Sequence, residues 1–458
     1  MKPNVLLIIA DQHRLDALGC SGKFNISTPS IDRLAQEGVF FENAFTPCPV
    51  CAPARQSLLS GLAPQSFGAL WNNDFIPTST ILPDNGFHAA ALSNAGYRCG
   101  LIGKWNSSQE CTPSDFGFSN HINSHEYTEW MAVKYPDLHY QNGWFGEPDV
   151  ISVEDSKTHW AAKQACELME GYTSQNQPWF IRVDFSDPHL PCRPSEPFAS
   201  LYDPENIVPW DSMNDSLEGK PYIQRQQLRN WGLEERSWDQ WKHTLAMYYA
   251  MVSQVDDAVG IMLKRLDDMQ ITNDTIVIYT ADHGDLCGGH GMLDKHYVLY
   301  DDVTRVPLII RYPNHAKAGY RACEHVSNCL DLGITIGDLC EVPVKVGHGI
   351  SLVPLLSGKI QPDRFFAVSA ADGQQFGLYS QRSIRTKDWL YVWNMTDIDE
   401  LYESKTDNGQ KYNRITDSSL IHVVAELRKS LYDELLRRKD PFTHSGWLKG
   451  QLLEGKKI

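Results

Sequence analysis

The sequence of 458 residues predicts an α/β fold: a large, mostly parallel sheet flanked by helices, with a smaller C-terminal lobe of antiparallel sheet plus helix. Three observations carry this expectation. Short apolar runs of strand length alternate with helical segments up to about residue 360, the pattern of a parallel sheet with crossover helices. Asp11 and the pair Asp282-His283 stand directly after two of those runs, and in open α/β sheets ligands gather beyond the carboxyl ends of strands. After about residue 360 the alternation gives way to closely spaced strand-like segments. The expected division is 1–360 for the α/β domain and 361–458 for a small subdomain packed on it.

Residues 4–10 form the first strand, a short apolar run stopped by Asp11. Residues 28–38 read as a helix with Thr28 as N-cap, Pro29 in the first turn and Gly38 at the end. Residues 53–60 make a short apolar helix between Pro53 and Gly61, which sets residue 51 beside a helix N-terminus, where backbone N–H groups favour an anion. Ala89 to Ala95, then Gly96, repeats the helix-and-stop pattern, and Cys99 to Gly103 is the next strand. Trp179 to Phe185 is a strand, Thr244 to Met269 a long helix, and Thr275 to Thr280 a strand that runs into Ala281-Asp282-His283-Gly284. Val306 to Arg311 is a further strand. Segments 110–150 and 190–240 are rich in Pro, Trp, Asn and Asp with little periodicity and are expected to be long loops. In the small lobe, Ser383 to Asn394 reads as antiparallel strands, followed by Glu400-Leu401-Tyr402 and a helix from about Ser418 to Arg438.

Composition narrows the class of function. Hydrophobic content of 42% and charged content of 21% are ordinary for a soluble globular protein. The net charge is −16 with no run rich in Lys or Arg, which argues against nucleic acid as a partner. The apolar run Val5 to Ala10 is too short to span a membrane, and neither a secretory core nor a cleavage site follows it. The eleven cysteines are odd in number and scattered rather than framed as a disulfide scaffold. The expectation is a reduced, cytoplasmic protein that starts intact at Met1. Composition leaves the oligomeric state open.

The most informative stretch is Cys51-Ala52-Pro53-Ala54-Arg55, followed by Gln56-Ser57-Leu58-Leu59-Ser60-Gly61. Cys48-Pro49-Val50-Cys51 also spells C-x-x-C, which fits a redox pair or half a zinc site, although no second C-x-x-C and no thioredoxin-like context accompany it. A buried thiol beside a turn is the third reading. The five residues from Cys51 to Arg55 resemble the modification motif of type I sulfatases, whose fold is that of the alkaline-phosphatase-like superfamily. In that family the Cys is oxidised to formylglycine (3-oxoalanine), and the hydrated aldehyde is the nucleophile. The resemblance continues in family order through Asp11, Gly103-Lys104-Trp105, Asp187-Pro188-His189-Leu190-Pro191, the block from Asp282 to Lys295, Arg305-Val306-Pro307, Ile384 to Trp389 and Glu400-Leu401-Tyr402.

The resemblance implies a set of roles. Asp11, Asp282 and His283 are the metal ligands, joined by an oxygen on modified residue 51 and by the amide oxygen of Gln12, where many members carry a second acid. Such an oxygen-rich set suits calcium, with magnesium or manganese as alternatives. Arg55 orients residue 51, Lys104 and Lys295 bind the sulfate oxygens, and His189 protonates the departing alcohol. Asn72 and Asn73 are expected to donate hydrogen bonds to sulfate. Many sulfatases carry a His two residues after the Gly-Lys-Trp lysine, whereas this chain has Asn106; either another group, His290 or His296, takes that role or the collapse of the sulfate ester is handled differently, with Asn106 and His290 among the expected substrate contacts. The implied activity is hydrolysis of a sulfate ester, of a sulfated mono- or oligosaccharide, after maturation by a formylglycine-generating or sulfatase-maturating enzyme. The Trp, Tyr and Asn of the long loops suit sugar rings and suit loop packing equally well. Two alternatives stand beside this reading: a phosphonate monoester or phosphodiester hydrolase with the same nucleophile, and a non-catalytic glycan-binding protein with an unmodified Cys51.

Overall fold

Strand β1 (Asn4–Ala10) is continuously apolar because it lies at the centre of a sheet covered on both faces. The computed structural model describes residues 2–72, 78–359, 365–374 and 377–457. The other strands of the large sheet are β2 (Val39–Phe45), β3 (Arg98–Gly103), β4 (Asn120–Asn123), β5 (Trp179–Asp184), β6 (Thr275–Ala281), β7 (Leu308–Arg311) and β8 (Tyr320–Ser327). Their order is β4-β3-β5-β1-β6-β7-β2-β8. All pairings are parallel except those of β7, which runs antiparallel to both β6 and β2.

Alternate residues of β1 serve two apolar layers. Val5, Leu7 and Ile9 pack with Phe41, Leu58, Ile276 and Ile278 on one side. Leu6, Ile8 and Ala10 pack with Ile31, Val255, Val259 and Tyr279 on the other. Because β5, β1 and β6 are parallel and in register, Asp184 ends β5 opposite Ile9 and Ala281 ends β6 opposite Ala10. Asp11 and Asp282 therefore leave the sheet side by side.

The small lobe carries an antiparallel sheet of β9 (Phe366–Gln374), β10 (Gly377–Thr386), β11 (Trp389–Asn394) and β12 (Glu400–Glu403), ordered β12-β11-β10-β9. One face takes Leu427 and Leu431 of the helix Ile421–Arg437 against Ile384, Tyr391 and Trp393. The other face, through Ala371, Leu390, Val392 and Tyr402, meets Leu286, Met292, Leu299 and Val303. The lobe is thus seated on the long connection that follows β6. The expected division after residue 360 falls among residues outside the described ranges.

Several elements differ from the sequence reading. The segment 110–150 holds β4 and the helix Ser124–Lys134, and 190–240 holds the helix Tyr222–Trp231 and the start of the helix Trp238–Asp268. The first helix buries only Tyr127, so no apolar period marks it; its signal is the capping box of Asn123 and Glu126. A second capping box, Ser237 with Gln240, moves the start of the long helix back to Trp238. Thr28 flanks the helix Pro29–Glu37 but makes no side-chain cap; the carboxylate of Asp256 accepts from the N–H groups of Ser30 and Ile31 instead. Strands β2 and β8 and the helices Lys157–Ser174 and Asn328–Leu339 add to the expected set. Among the described residues no helix is long and apolar enough to cross a membrane.

Candidate active site

Four donor groups converge where β1 and β6 end. One ligand atom from each of Asp11, Cys51, Asp282 and His283 can be chosen so that all lie within 4.8 Å of one another, and all four residues are buried. Cys51 is the first residue of the helix Cys51–Ser60, which is buried along its whole length, and its side chain arrives at the strand ends from the side. Its Sγ lies 3.2 Å from His283 Nε2 and 3.8 Å from Asp11 Oδ1. The Nδ1 of His283 lies 2.9 Å from the carbonyl of Gly284. That contact aims Nε2 at the cluster, the orientation a metal-binding histidine needs.

Arg55, one turn along the same helix, ties the carboxylates together. Its Nη2 is 3.0 Å from Asp11 Oδ2 and 3.0 Å from Asp282 Oδ2, and its Nη1 is 2.8 Å from Asp184 Oδ2. The contact to Asp282 is an ion pair without hydrogen-bond geometry, so Asp282 Oδ2 has no donor. Asp184 is in turn held by Arg182, at 2.9 and 2.6 Å. Lys104 pairs with Asp11 Oδ2. Lys295 Nζ sits 2.8 Å from Gln12 Oε1, 3.0 Å from His189 Nε2 and 3.2 Å from Asp294 Oδ1.

These placements set the charge states. Burial raises the Asp11 carboxyl, but Lys104, His189, Arg55 and His283 outweigh it and hold it well below the carboxylate range. Asp282 goes the other way, raised by burial and by Asp11. Burial opposes charge on His283, yet Asp282 and Cys51 lift it to about 9. Burial and Asp11 push the Cys51 thiol up, and Lys104, Lys295 and His283 together bring it well below the ordinary thiol value. Asp285 rises to about 6 through burial and its neighbour Asp294.

Two carboxylates, an imidazole nitrogen and residue 51 around one point are a donor set that fits a divalent cation. Asp11 and Asp282 repel each other, and Asp282 Oδ2 has no proton donor to satisfy it.

Of the residues singled out from sequence, Asp11, Gln12, Cys51, Arg55, Lys104, His189, Asp282, His283 and Lys295 form one connected network. Two are placed differently from the expectation, and a third, Asn72, makes a contact beyond it. Gln12, expected to offer its amide oxygen to metal, turns that oxygen to Lys295, while its Nε2 donates to Asp285 Oδ2 (2.7 Å) and Asp294 Oδ1 (3.0 Å). Asn72, expected to donate to sulfate, accepts from the backbone N–H of Ala52 at 2.9 Å and so caps the helix that carries Cys51. His290, expected among the substrate contacts, is buried elsewhere: it is stacked 4.0 Å from Tyr300, with Nδ1 2.7 Å from Asp215 Oδ2. The cause is a left-handed backbone at φ 54 that turns its ring toward the lobe. His296 reaches the network through Asp294, at 3.0 Å. Asn106, half-buried, also has a positive φ, 34. Asn73 lies outside the described residues.

Sequence reasoning missed Arg182, Asp184, Asp285 and Asp294. The available signal for the first two was charge at alternate positions of an otherwise apolar strand, Phe180-Ile181-Arg182-Val183-Asp184.

Comparison with known proteins agrees with this geometry. The family model described as Sulfatase matches residues 3–342, and that described as N-sulphoglucosamine sulphohydrolase, C-terminal, matches residues 288–437. Human iduronate 2-sulfatase is 30% identical, over 78% of this chain and 68% of its own length. The phosphonate monoester hydrolase of Agrobacterium radiobacter superposes with a TM-score of 0.82 at 24% identity, covering 95% of this chain and 96% of that one. A protein solved with its substrate D-glucosamine-2-N,6-O-disulfate superposes with a TM-score of 0.80 at 23% identity, over 96% of this chain and 99% of that one. These two likenesses concern the fold.

Proposed function

The chain belongs to the sulfatase family and is a sulfuric ester hydrolase, and from that premise we propose that it releases sulfate from a sulfated mono- or oligosaccharide at the centre built around Cys51. The observation that carries this reading is the pair of lysines set on either side of a buried cluster of metal-type donors: Lys104 on Asp11 and Lys295 on Gln12 and His189. The nonbridging oxygens of the transferred sulfuryl group need such cations nearby, and the departing sugar oxygen needs a proton donor beside them.

In this proposal Cys51 is the precursor of formylglycine, whose hydrate supplies a nucleophilic oxygen that a thiol lacks. Asp11, Asp282, His283 and modified residue 51 would hold calcium, or magnesium or manganese, which adds positive charge opposite the sulfate oxygens. Arg55 fixes Asp11, Asp184 and Asp282 relative to residue 51 and so sets the direction of attack. Lys104 and Lys295 stabilise the charge that builds on the nonbridging oxygens. His189, with Nδ1 2.6 Å from the carbonyl of Leu190 and Nε2 3.0 Å from Lys295 Nζ, forms with that lysine the pair that supplies the proton to the departing sugar oxygen. The sugar specificity takes support from iduronate 2-sulfatase and from the bound glucosamine disulfate of the structural relative. We also place the division of the chain after residue 360, maturation by a formylglycine-generating enzyme, and a cytoplasmic setting within the proposal. The last rests on eleven cysteines that are all free.

The test is sulfate release from a panel of sulfated sugars, an aryl sulfate, choline sulfate and a phosphonate monoester, using protein co-expressed with a formylglycine-generating enzyme. Cleavage of a sugar sulfate, absent in Cys51→Ala, is the expected result. Faster turnover of the phosphonate ester would assign the chain to the second activity, for which the Asp11-Gln12 pair speaks.

A further inference from the structure

A cavity of about 230 Å³ lies apart from the catalytic centre, where the β2 and β8 edge of the large sheet, the loop at Asp211 and the small lobe meet. None of Asp11, Cys51, Lys104, His189, Asp282 and Lys295 lines it. Its wall carries five cationic side chains, those of Arg14, Lys23, Arg305, Arg321 and Arg385, and five carboxylates. The carboxylates are largely taken. Asp16 accepts from Arg14 Nε and Nη2, each at 2.8 Å. Asp302 accepts from Arg14 Nη2 and from Ser212 Oγ, each at 2.7 Å. Asp301 accepts from Arg385 Nε and Nη2, each at 2.9 Å, and Glu42 from Arg321 Nε at 2.6 Å. Only Asp211 is loosely held, 3.6 Å from Lys23 Nζ, and both of these side chains are exposed.

Arg305 is the cation left over. Among the described residues it has no ion-pair partner, because the acids around it, Asp16, Asp301 and Glu42, are turned to Arg14, Arg385 and Arg321. Its Nε and Nη2 donate to the carbonyl of Glu42, which fixes the plane of the guanidinium. Its backbone is pinned by a bridge to Phe45. The remaining nitrogen, Nη1, donates to no described residue, and it is not among the polar atoms sealed from solvent. Burial draws the guanidinium below the ordinary arginine value, and the pull of Asp301 does not make up the difference. A half-buried, preoriented guanidinium with a free N–H is half of a charge-assisted hydrogen bond, and oxyanions supply the other half. Lys23 and Arg321, with 44% and 47% of their side chains exposed, are free to turn inward beside it.

We propose that this cavity is a second binding site, for a small tetrahedral oxyanion: phosphate or sulfate, free or as the head group of a small ester. Arg305 holds the anion at the wall, and Lys23 and Arg321 close on it from the rim. The walls come from the sheet, from the loop and from the lobe, so an occupied cavity ties the lobe to the core and stabilises the chain by mass action. No catalytic residue takes part, and the inference stands independently of the sugar-sulfate reading.

The melting temperature of the full chain is followed against sodium sulfate, sodium phosphate and glycerol phosphate, with sodium chloride at matched ionic strength as reference. A saturable rise is expected with the oxyanions and none with chloride. Arg305→Met is expected to weaken the apparent Kd at least about 10-fold, and Arg305→Lys to weaken it less. Asn408 is exposed and lines the cavity, so Asn408→Trp plugs it without touching the core and decides the matter if Arg305→Met does not fold. Lys104→Ala, which disarms the catalytic centre, is expected to keep a saturable rise. An ester that outbinds inorganic phosphate assigns the site to a head group and equal affinities assign it to the free ion; both uphold it. The proposal is overturned if the rise is unsaturable and common to all variants, as for a salt excluded from the surface. It is equally overturned if folded Arg305→Met or Asn408→Trp protein keeps the parent's affinity, or if Lys104→Ala abolishes the rise and so places the anion at the catalytic centre.

Discussion

Two buried clusters in this protein contain the same kinds of side chain and do different things. The first joins Asp11, Asp282, His283 and Cys51 with Lys104 and Lys295. The second joins Asp215, His290 and Lys220 with Tyr300, Tyr402 and Glu400 under the small lobe. In the second, charges close on themselves. Lys220 meets Asp215 and the carbonyl of Gln410 and lies over the rings of Tyr300 and Tyr402; both hydroxyls donate to Glu400, and burial is outweighed so that Asp215 sits at about 2. In the first, acceptors point at one another and the two carboxylates repel. Burial of polar groups is common to both. What marks the first is the gathering of four metal-type donor groups at one point.

The comparison breaks most readily at Cys51. Cys51→Ala should abolish sulfate release, by at least about 10⁴-fold, with a melting temperature close to that of the parent. A large residual rate would remove residue 51 from the chemistry. Next come the lysines. Lys220→Met should cost about 3–5 kcal/mol of stability, because Asp215 is left buried without its main counter-charge. Lys295→Met should cost about 10²–10³-fold in kcat with a smaller stability loss. Denaturation and steady-state kinetics on both variants decide whether the clusters differ as described; equal profiles would erase the distinction.

Chelation sharpens it from the metal side. Dialysis against EDTA should stop sulfate release and lower stability, by about 2.7 kcal/mol relative to a cation at a hundredfold excess over its Kd, with calcium restoring both. A melting curve and activity indifferent to EDTA would mean that the first cluster works without an ion. A pH-dependent effect concerns Asp256, a carboxylate that burial lifts from 3.8 to about 7 against the pull of the Ile31 and Ser30 N–H groups. The native state holds its proton longer than the unfolded chain, so stability is greatest below the unfolded value and falls as pH rises from about 4 to about 7. The loss should be on the order of 4 kcal/mol. Asp256→Asn should flatten that slope in chemical denaturation at pH 5 to 8.

The sheet and its centre were legible because they depend on local patterns: a fully apolar β1, a Pro and a Gly bracketing the helix after Cys51, and Asp11 and Asp282-His283 at strand ends. Their convergence follows from parallel register alone. His290 departs from the expectation because the connection that carries it passes through several left-handed residues, Cys287, Gly288, His290, Gly291 and Asp294 among them, and packs against the lobe. Arg182 and Asp184 escaped notice because a strand of apolar neighbours conceals a buried ion pair. The helix Ser124–Lys134 escaped because an exposed helix has no apolar face to display.

The burial of Cys51 also orders events in the life of the chain. Only 1% of the residue is accessible, and every residue of its helix is enclosed by the sheet and by the helix Asn328–Leu339. A modifying enzyme has to accommodate the segment from Cys51 to Arg55 as an extended strand of peptide, which the finished protein never presents. If Cys51 is the formylglycine precursor proposed above, its oxidation competes with folding and has to come first. On that proposal, a molecule that closes its sheet too early is sealed with a thiol in place of the aldehyde, and the fraction of active enzyme in a preparation records the outcome of that race.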